Sequence, residues 1–134
     1  MFKTRKKTDA DTAFIYNSWL KSYRNRHEDV RTEVYYQMQS AVIDKLLASA
    51  EVSLACNPDN HDEIYGYVVY EQLPTTNIIH YVYVKHYLRK SYIAKQLVEH
   101  ALDLSKTTFV SHTPHHADSL LDKYKLIYNP FLRN

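Results

Sequence analysis

The residues best placed to do chemistry in this chain lie in one stretch, 80–102, HYVYVKHYLRKSYIAKQLVEHAL. An extended, tyrosine-rich run passes through a basic turn directly into an amphipathic helical repeat. A helix that starts this way presents N–H groups with no intrahelical partner, and such a pocket of donors attracts phosphates. Turns of this kind commonly use glycine so that the backbone can approach a phosphate closely. The chain has one glycine in 134 residues, Gly66, and it lies outside this turn. The same scarcity excludes a P-loop and a nucleophile elbow. His112, His115 and His116, with Asp118, form a second chemistry-bearing group, but their spacing matches no zinc motif and adjacent histidines on a helix point apart. No metal is expected.

The elements that must position these residues follow from hydrophobic period. Residues 2–7 read as an edge strand or a loose tail. Thr8 and Asp11 resemble a capping box, and a helix runs on to about residue 24 with Phe14, Ile15, Trp19, Ser22 and Tyr23 on one stripe. A second helix covers about 31–48, where Val34, Tyr35, Met38, Val42, Leu46 and Leu47 recur near the helical period. The period then shortens to two. Residues 51–56 alternate, residues 57–60 turn, and 64–72 (IYGYVVYEQ) is apolar enough to be a strand buried on both faces. Residues 78–85 form the next strand. Ser91 is a candidate N-cap for a helix over 92–104 whose inner face carries Ile93, Ala94, Leu97, Val98, Ala101 and Leu102. A strand over 107–113, a short helix over about 116–125 and a last strand or extended tail at 127–132 complete a single α/β domain over 1–134, a mixed sheet covered on both sides.

Composition narrows the function classes. The net charge of +2 gives no general attraction for nucleic acid, and most of the excess sits in Lys3, Arg5, Lys6 and Lys7. Cys56 is the one cysteine, so neither an internal disulfide nor a cysteine-based zinc site forms, and a reducing, cytosolic setting is expected. No apolar run approaches the roughly 20 residues of a membrane span. Thirteen tyrosines against four phenylalanines are unusual. They suit either a core built with Tyr in place of Phe or an aromatic binding surface.

The element order, with Val84, Lys85, His86, Tyr87, Leu88, Arg89, Lys90, Ser91, Tyr92, Ile93 and Ala94 at its centre, resembles the GCN5-related N-acetyltransferase (GNAT) superfamily. Arg89 matches the family's Arg/Gln position and Ala94 its last small position, while Tyr92 stands where a glycine is expected. IYGYVVYE, with Gly66, resembles the family's third strand. Residues 14–24, FIYNSWLKSYR, are similar to a segment of small GNAT-like proteins encoded by tailed phages, which would place the protein in a host cytoplasm. The resemblance implies a mixed, mostly antiparallel, twisted sheet with splayed central strands and about four helices.

It also implies acetyl-CoA as cosubstrate. The contacts would come from Val82, Tyr83, Val84 and Lys85 on the strand and from Arg89, Lys90, Ser91, Tyr92, Ile93 and Ala94 at the turn. Arg89 and Lys90 would add charge attraction. The Tyr92 phenol either crowds the phosphate path or points aside. For the base the resemblance points to His80, four residues before Val84 on the same strand face, with an ordinary pKa near ~6.5; a structural histidine is the other reading. Glu71 is a second base candidate, and Tyr124 is the candidate acid. The histidine-rich segment at 112–116 would line the acceptor side. The acceptor would be a protein lysine, an N-terminus or a small amine. A catalytically inactive binding protein of the same fold is the other function considered. Membrane and nucleic-acid partners are disfavoured, and the tyrosines of 64–72 would serve a core or a homodimer seam equally.

Overall fold

Six strands form one sheet in chain order in the computed structural model, which describes residues 1–89, 92–113 and 124–133. They are β1 (Lys3–Lys6), β2 (Glu51–Asn57), β3 (Asn60–Gln72), β4 (Thr76–Val84), β5 (Thr107–Val110) and β6 (Ile127–Tyr128). β1 to β4 pair antiparallel, whereas β4–β5 and β5–β6 are parallel. The mixed, mostly antiparallel α/β sheet implied by the sequence is therefore present. Among the described residues three α-helices cover it: α1 (Thr12–Tyr23), α2 (Thr32–Ser49) and α3 (Ile93–Ala101). The short helix expected over 116–125 falls almost entirely outside the described residues.

β3 is apolar or aromatic from Ile64 to Tyr70 because both of its faces are covered there. Tyr67 and Val69 join Val52, Leu54 and Tyr81 beneath α1 and α2, where Ile15, Trp19, Ile43 and Leu46 pack on them. Val68 and Tyr70 face the other way, with Ile79, Val82 and Val84, against Ile93, Leu97 and Val98 of α3. The buried tyrosines are core residues whose hydroxyls find partners. Tyr35 donates to Leu20 O at 2.6 Å, Tyr67 meets Ser18 Oγ at 2.8 Å, and Tyr81 meets Ser22 Oγ at 2.6 Å while stacking on Trp19. Ser22, read as part of an apolar stripe, serves as the polar partner of a buried phenol.

Two expectations about local structure change. The inward stripe of α2 is Tyr35, Gln39, Ile43 and Leu46, with Val34 and Met38 exposed. The inward stripe includes a polar residue, Gln39, whose amide lies 2.9 Å from His112 Nε2. The Thr8–Asp11 capping box is present but opens a 3-10 turn ahead of α1. Asp11 also takes both terminal nitrogens of Arg5, at 2.8 and 2.9 Å, and the Arg5 hydrogen bonds hold its carboxyl down at about 2.

Candidate functional site

The strands part at the centre of the sheet. β5 accompanies β4 only from Thr76 to Ile79, with one further bond from Ser111 N–H to Ile79 O at 3.0 Å. Among the described residues, β4 continues to Val84 paired only with β3. Lys85 N–H donates to Tyr65 O, so the alternation of an antiparallel ladder turns the N–H and C=O groups of Tyr81 and Tyr83 toward β3. Those of Val82 and Val84 face the open edge. Of the four strand residues expected at a cofactor, Val82 and the N–H of Val84 thus face the gap, while Val84 O accepts from Arg89 and the main-chain groups of Tyr83 and the N–H of Lys85 are taken by β3.

Beyond Val84 a 3-10 turn over His86–Leu88 leads to α3. Arg89 folds back over it, its Nε donating to Val84 O at 3.0 Å and its Nη1 lying 3.2 Å from His86 Nδ1. The guanidinium therefore ties the turn to the strand end as well as adding positive charge there. Lys90 and Ser91 lie outside the described residues. The N-cap position of α3 belongs to Tyr92, with φ 65° and ψ 15° and no side-chain cap bond, where Ser91 was expected. Tyr92 keeps the left-handed backbone that a glycine would adopt, and its side chain is 72% exposed. The phenol leans into solvent and leaves the first N–H groups of α3, with the buried Ile93 and half-buried Ala94, at the turn. A cleft of about 330 Å³ lined by Phe2, Tyr65, Leu88, Ile93 and Gln96 opens beside it.

A left-handed L-residue costs roughly 1–2 kcal/mol, and an exposed phenol recovers little of that by packing. Tyr92→Gly should therefore raise stability by about 1 kcal/mol, seen as a melting temperature higher by a few degrees. An unchanged or lower melting temperature would contradict the conformation at this position.

At the point where β4 and β5 part lies His80. The β3–β4 register jumps there: Val69 pairs with Tyr81 and Tyr70 with Ile79, so His80 is the extra residue of a β-bulge. The bulge interrupts the two-residue alternation, so the expected common face for His80 and Val84 does not hold. Val84 packs toward α3, and His80 turns to Glu71 and Ser111. His80 is fully buried, with Nε2 2.6 Å from Glu71 Oε2 and Nδ1 2.7 Å from Ser111 Oγ. Ser111 Oγ lies 3.0 Å from His112 Nδ1, and His112 Nε2 meets Gln39 Nε2. Burial pushes the His80 pKa down, against the raising effect of Glu71. Burial pushes His112 down to about 2, helped by the positive charge of Arg133. Both rings are neutral at physiological pH. Glu71, with its side chain 30% exposed, is the end of the chain that solvent reaches.

No protein-family model matches the sequence, and no curated protein is similar to it at a significant level. Solved structures do match. A candidate acetyl transferase from Pyrococcus furiosus aligns over 93% of this chain and 90% of its own, with 16% identity and a TM-score of 0.64. The N-acetyltransferase PaiA of Thermoplasma acidophilum, solved with coenzyme A, aligns over 75% and 69%, with 13% identity and a TM-score of 0.52. A GNAT-family acetyltransferase from Staphylococcus aureus gives 75% coverage, 16% identity and a TM-score of 0.52, and this chain spans 63% of that protein's length. The fold is that of the GNAT acetyltransferases.

Within the GNAT fold, the structure brings together His80 and Glu71, proposed from sequence as alternative bases, and makes them one hydrogen-bonded pair. It does not bring Tyr124 to them. The Tyr124 hydroxyl donates to Glu99 Oε2 of α3 at 2.7 Å, on the opposite side of the sheet. Partial burial and that carboxylate push its pKa up to about 12. His115, His116 and Asp118 lie outside the described residues, and among the described residues no group of three side chains is arranged to hold a metal. Sequence reasoning missed Ser111 and Gln39. Their signal was weak: a polar pair, Ser111-His112, ending an apolar strand, and a glutamine at the inward position of α2. No helix among the described residues is long and apolar enough to cross a membrane.

Proposed function

We propose that the protein transfers an acetyl group from acetyl-CoA to a primary amine. The observation that carries this reading is the divergence of β4 from β5 after Ile79, with the left-handed entry into α3 at its mouth. Acetyl-CoA supplies an acyl thioester already activated toward an amine. The free N–H groups at the start of α3, together with Arg89, suit its phosphates, and the main-chain groups of Val82 with the N–H of Val84 suit its amide-bearing arm. An N–H of this open edge serves as donor to the oxyanion that forms at the thioester carbon. The amine must lose a proton, and the His80–Glu71 pair supplies the basic group. Glu71 is the member through which that proton leaves to solvent. The departing thiolate, with an ordinary thiol pKa of ~8.5, needs little help from an acid near neutral pH, so Tyr124 is not required for its departure. A lysine of a protein, an N-terminus or a small amine fits as acceptor.

A second reading has its own support: a binding protein of this fold that does not catalyse. His80 has both ring nitrogens engaged, and Tyr81 and Tyr83 fill the α1 face of β4.

Calorimetric titration with acetyl-CoA separates the two. Saturable heat at micromolar to millimolar ligand supports the transferase, and no heat at millimolar ligand rejects it. His80→Gln, which can keep a contact to both Ser111 and Glu71, should then lower transfer by about 100-fold or more while binding stays unchanged. Full turnover in that variant would remove His80 from the mechanism.

A further inference from the structure

At the Gln39 end of the buried chain the molecule has another pocket, of about 220 Å³, between the α1–α2 connection, α2 and the segment that follows β6. Its walls are apolar: Val30, Tyr35, Met38 and Val42. The Tyr35 hydroxyl is already bonded to Leu20 O, so only its ring faces the space. Arg24 fixes the rim by donating to His27 O and to Val30 O. Among the described residues three polar side chains line it, His27, Gln39 and Arg133, and none is a carboxylate.

The buried chain described above determines what Gln39 offers. A carboxylate only accepts, so Glu71 requires a proton on His80 Nε2. A neutral His80 then accepts at Nδ1, which commits the Ser111 hydroxyl proton to that bond. Ser111 Oγ must in turn accept from His112 Nδ1–H. A neutral His112 accepts at Nε2, so the amide nitrogen of Gln39 donates to it. Each bond in the chain admits one polarity, and the last one fixes the Gln39 amide. Its Oε1 has no partner among the described residues and is not sealed in, although Gln39 as a whole is 94% buried, with 6% exposed. It faces the pocket as an acceptor.

Arg133 is held just as firmly. Nε donates to Ser111 O at 2.9 Å and Nη2 to Tyr23 OH at 2.5 Å, with the guanidinium 5.7 Å from the Tyr23 ring centre. Nη1 has no partner among the described residues. The pocket thus presents a cation with free donors, a fixed acceptor and an aliphatic wall.

We propose that this pocket binds a small α-amino acid with an aliphatic side chain. Its carboxylate meets Arg133 Nη1, its amino group donates to Gln39 Oε1, and its side chain lies against Val30, Met38 and Val42. A pocket of this size falls below the several hundred Å³ of drug-sized ligand sites, which suits one residue and not a cofactor. The proposal goes beyond acetyl transfer and stands whether or not the chain catalyses it.

The test is titration of the 15N-labelled protein with L-leucine, L-leucinamide and 4-methylpentanoate. Loss of a charge-assisted bond weakens binding by about tenfold or more. Leucine should bind at least tenfold more tightly than leucinamide, which lacks the carboxylate, and than 4-methylpentanoate, which lacks the amine. Its shifts should centre on the Gln39 side-chain amide and Arg133 Nε–H. Arg133→Gln should abolish the preference for leucine over leucinamide. Equal binding of leucine and leucinamide to the wild-type protein, shifts centred elsewhere, or no saturable shift at tens of millimolar leucine would each overturn the proposal. The wild-type comparison decides even if the variant folds poorly.

Discussion

Alanine in place of Gly66 is expected to destabilise the protein by about 2–3 kcal/mol, at the upper end of what overpacking a core costs. A Cβ built there would sit 2.4 Å from the Tyr83 carbonyl oxygen, 3.1 Å from Val84 Cα and 3.2 Å from a Val84 methyl carbon. The first two neighbours are backbone atoms of the partner strand, so they move away only by parting β3 from β4. Gly66 is also the residue paired with Val84, next to a bulge in β3 where Ala55 pairs with Gly66 and Cys56 with Ile64. The chain's sole glycine therefore serves close approach of two strands and not a turn. For a domain of this size the loss corresponds to a melting temperature lower by roughly 10 °C. Because the displaced atoms lead directly into the open edge at Val82 and Val84, the acetyl-CoA binding proposed for that edge should weaken in the same variant. A melting temperature within a degree or two of wild type would mean that the strands do not approach this closely.

Gly66 also marks what the sequence made legible. Strand 78–85, the turn after it and the helix over 92–104 followed from hydrophobic period alone, because burial on one or both faces imposes that period on the residues. The parting of the strands came only with the family resemblance. Period says nothing of which strands pair or where pairing ends. The conformation of Tyr92 was open in the sequence, since a phenol at a glycine position is compatible with a blocked turn or with a strained backbone. The structure adopts the strained backbone and an exposed ring. His80 was expected on the face of Val84 and lies off it, because the bulge that redirects it shifts register without altering the apolar pattern around it. Gln39 and Ser111 were missed for a related reason. A polar residue at an inward position looks like a mismatch until its partner, 73 residues away in the case of Gln39 and His112, is brought beside it.

That buried chain should give the protein a distinctive acid response. His112 has its pKa pushed down to about 2 in the fold, chiefly by burial, against ~6.5 in the unfolded chain. Below pH 6.5 the unfolded state takes up a proton that the folded state refuses, so stability falls as pH falls. At about 1.36 kcal/mol per pH unit, lowering the pH from 7 to 5 should remove about 2 kcal/mol through His112 alone. His80 is shifted in the same direction, again by burial, and adds to the loss. The carboxylate of Asp11 acts in a separate window: with its pKa held down at about 2 by Arg5, its contribution is present above its ordinary value of 3.8 and disappears only below that. Unfolding free energies from urea titrations at pH 7 and pH 5 should therefore differ strongly in the wild-type protein, and the difference should shrink by about 2 kcal/mol in His112→Gln, whatever that variant's stability at pH 7. An equal pH dependence in the two proteins would mean that His112 titrates normally. In that case the ring would be protonated at pH 5, and the orientation of the Gln39 amide, with the acceptor facing the α2 pocket, would be lost in acid. The acid response thus reports on the same protonation state that gives the chain its direction, from the Gln39 amide to the carboxylate of Glu71.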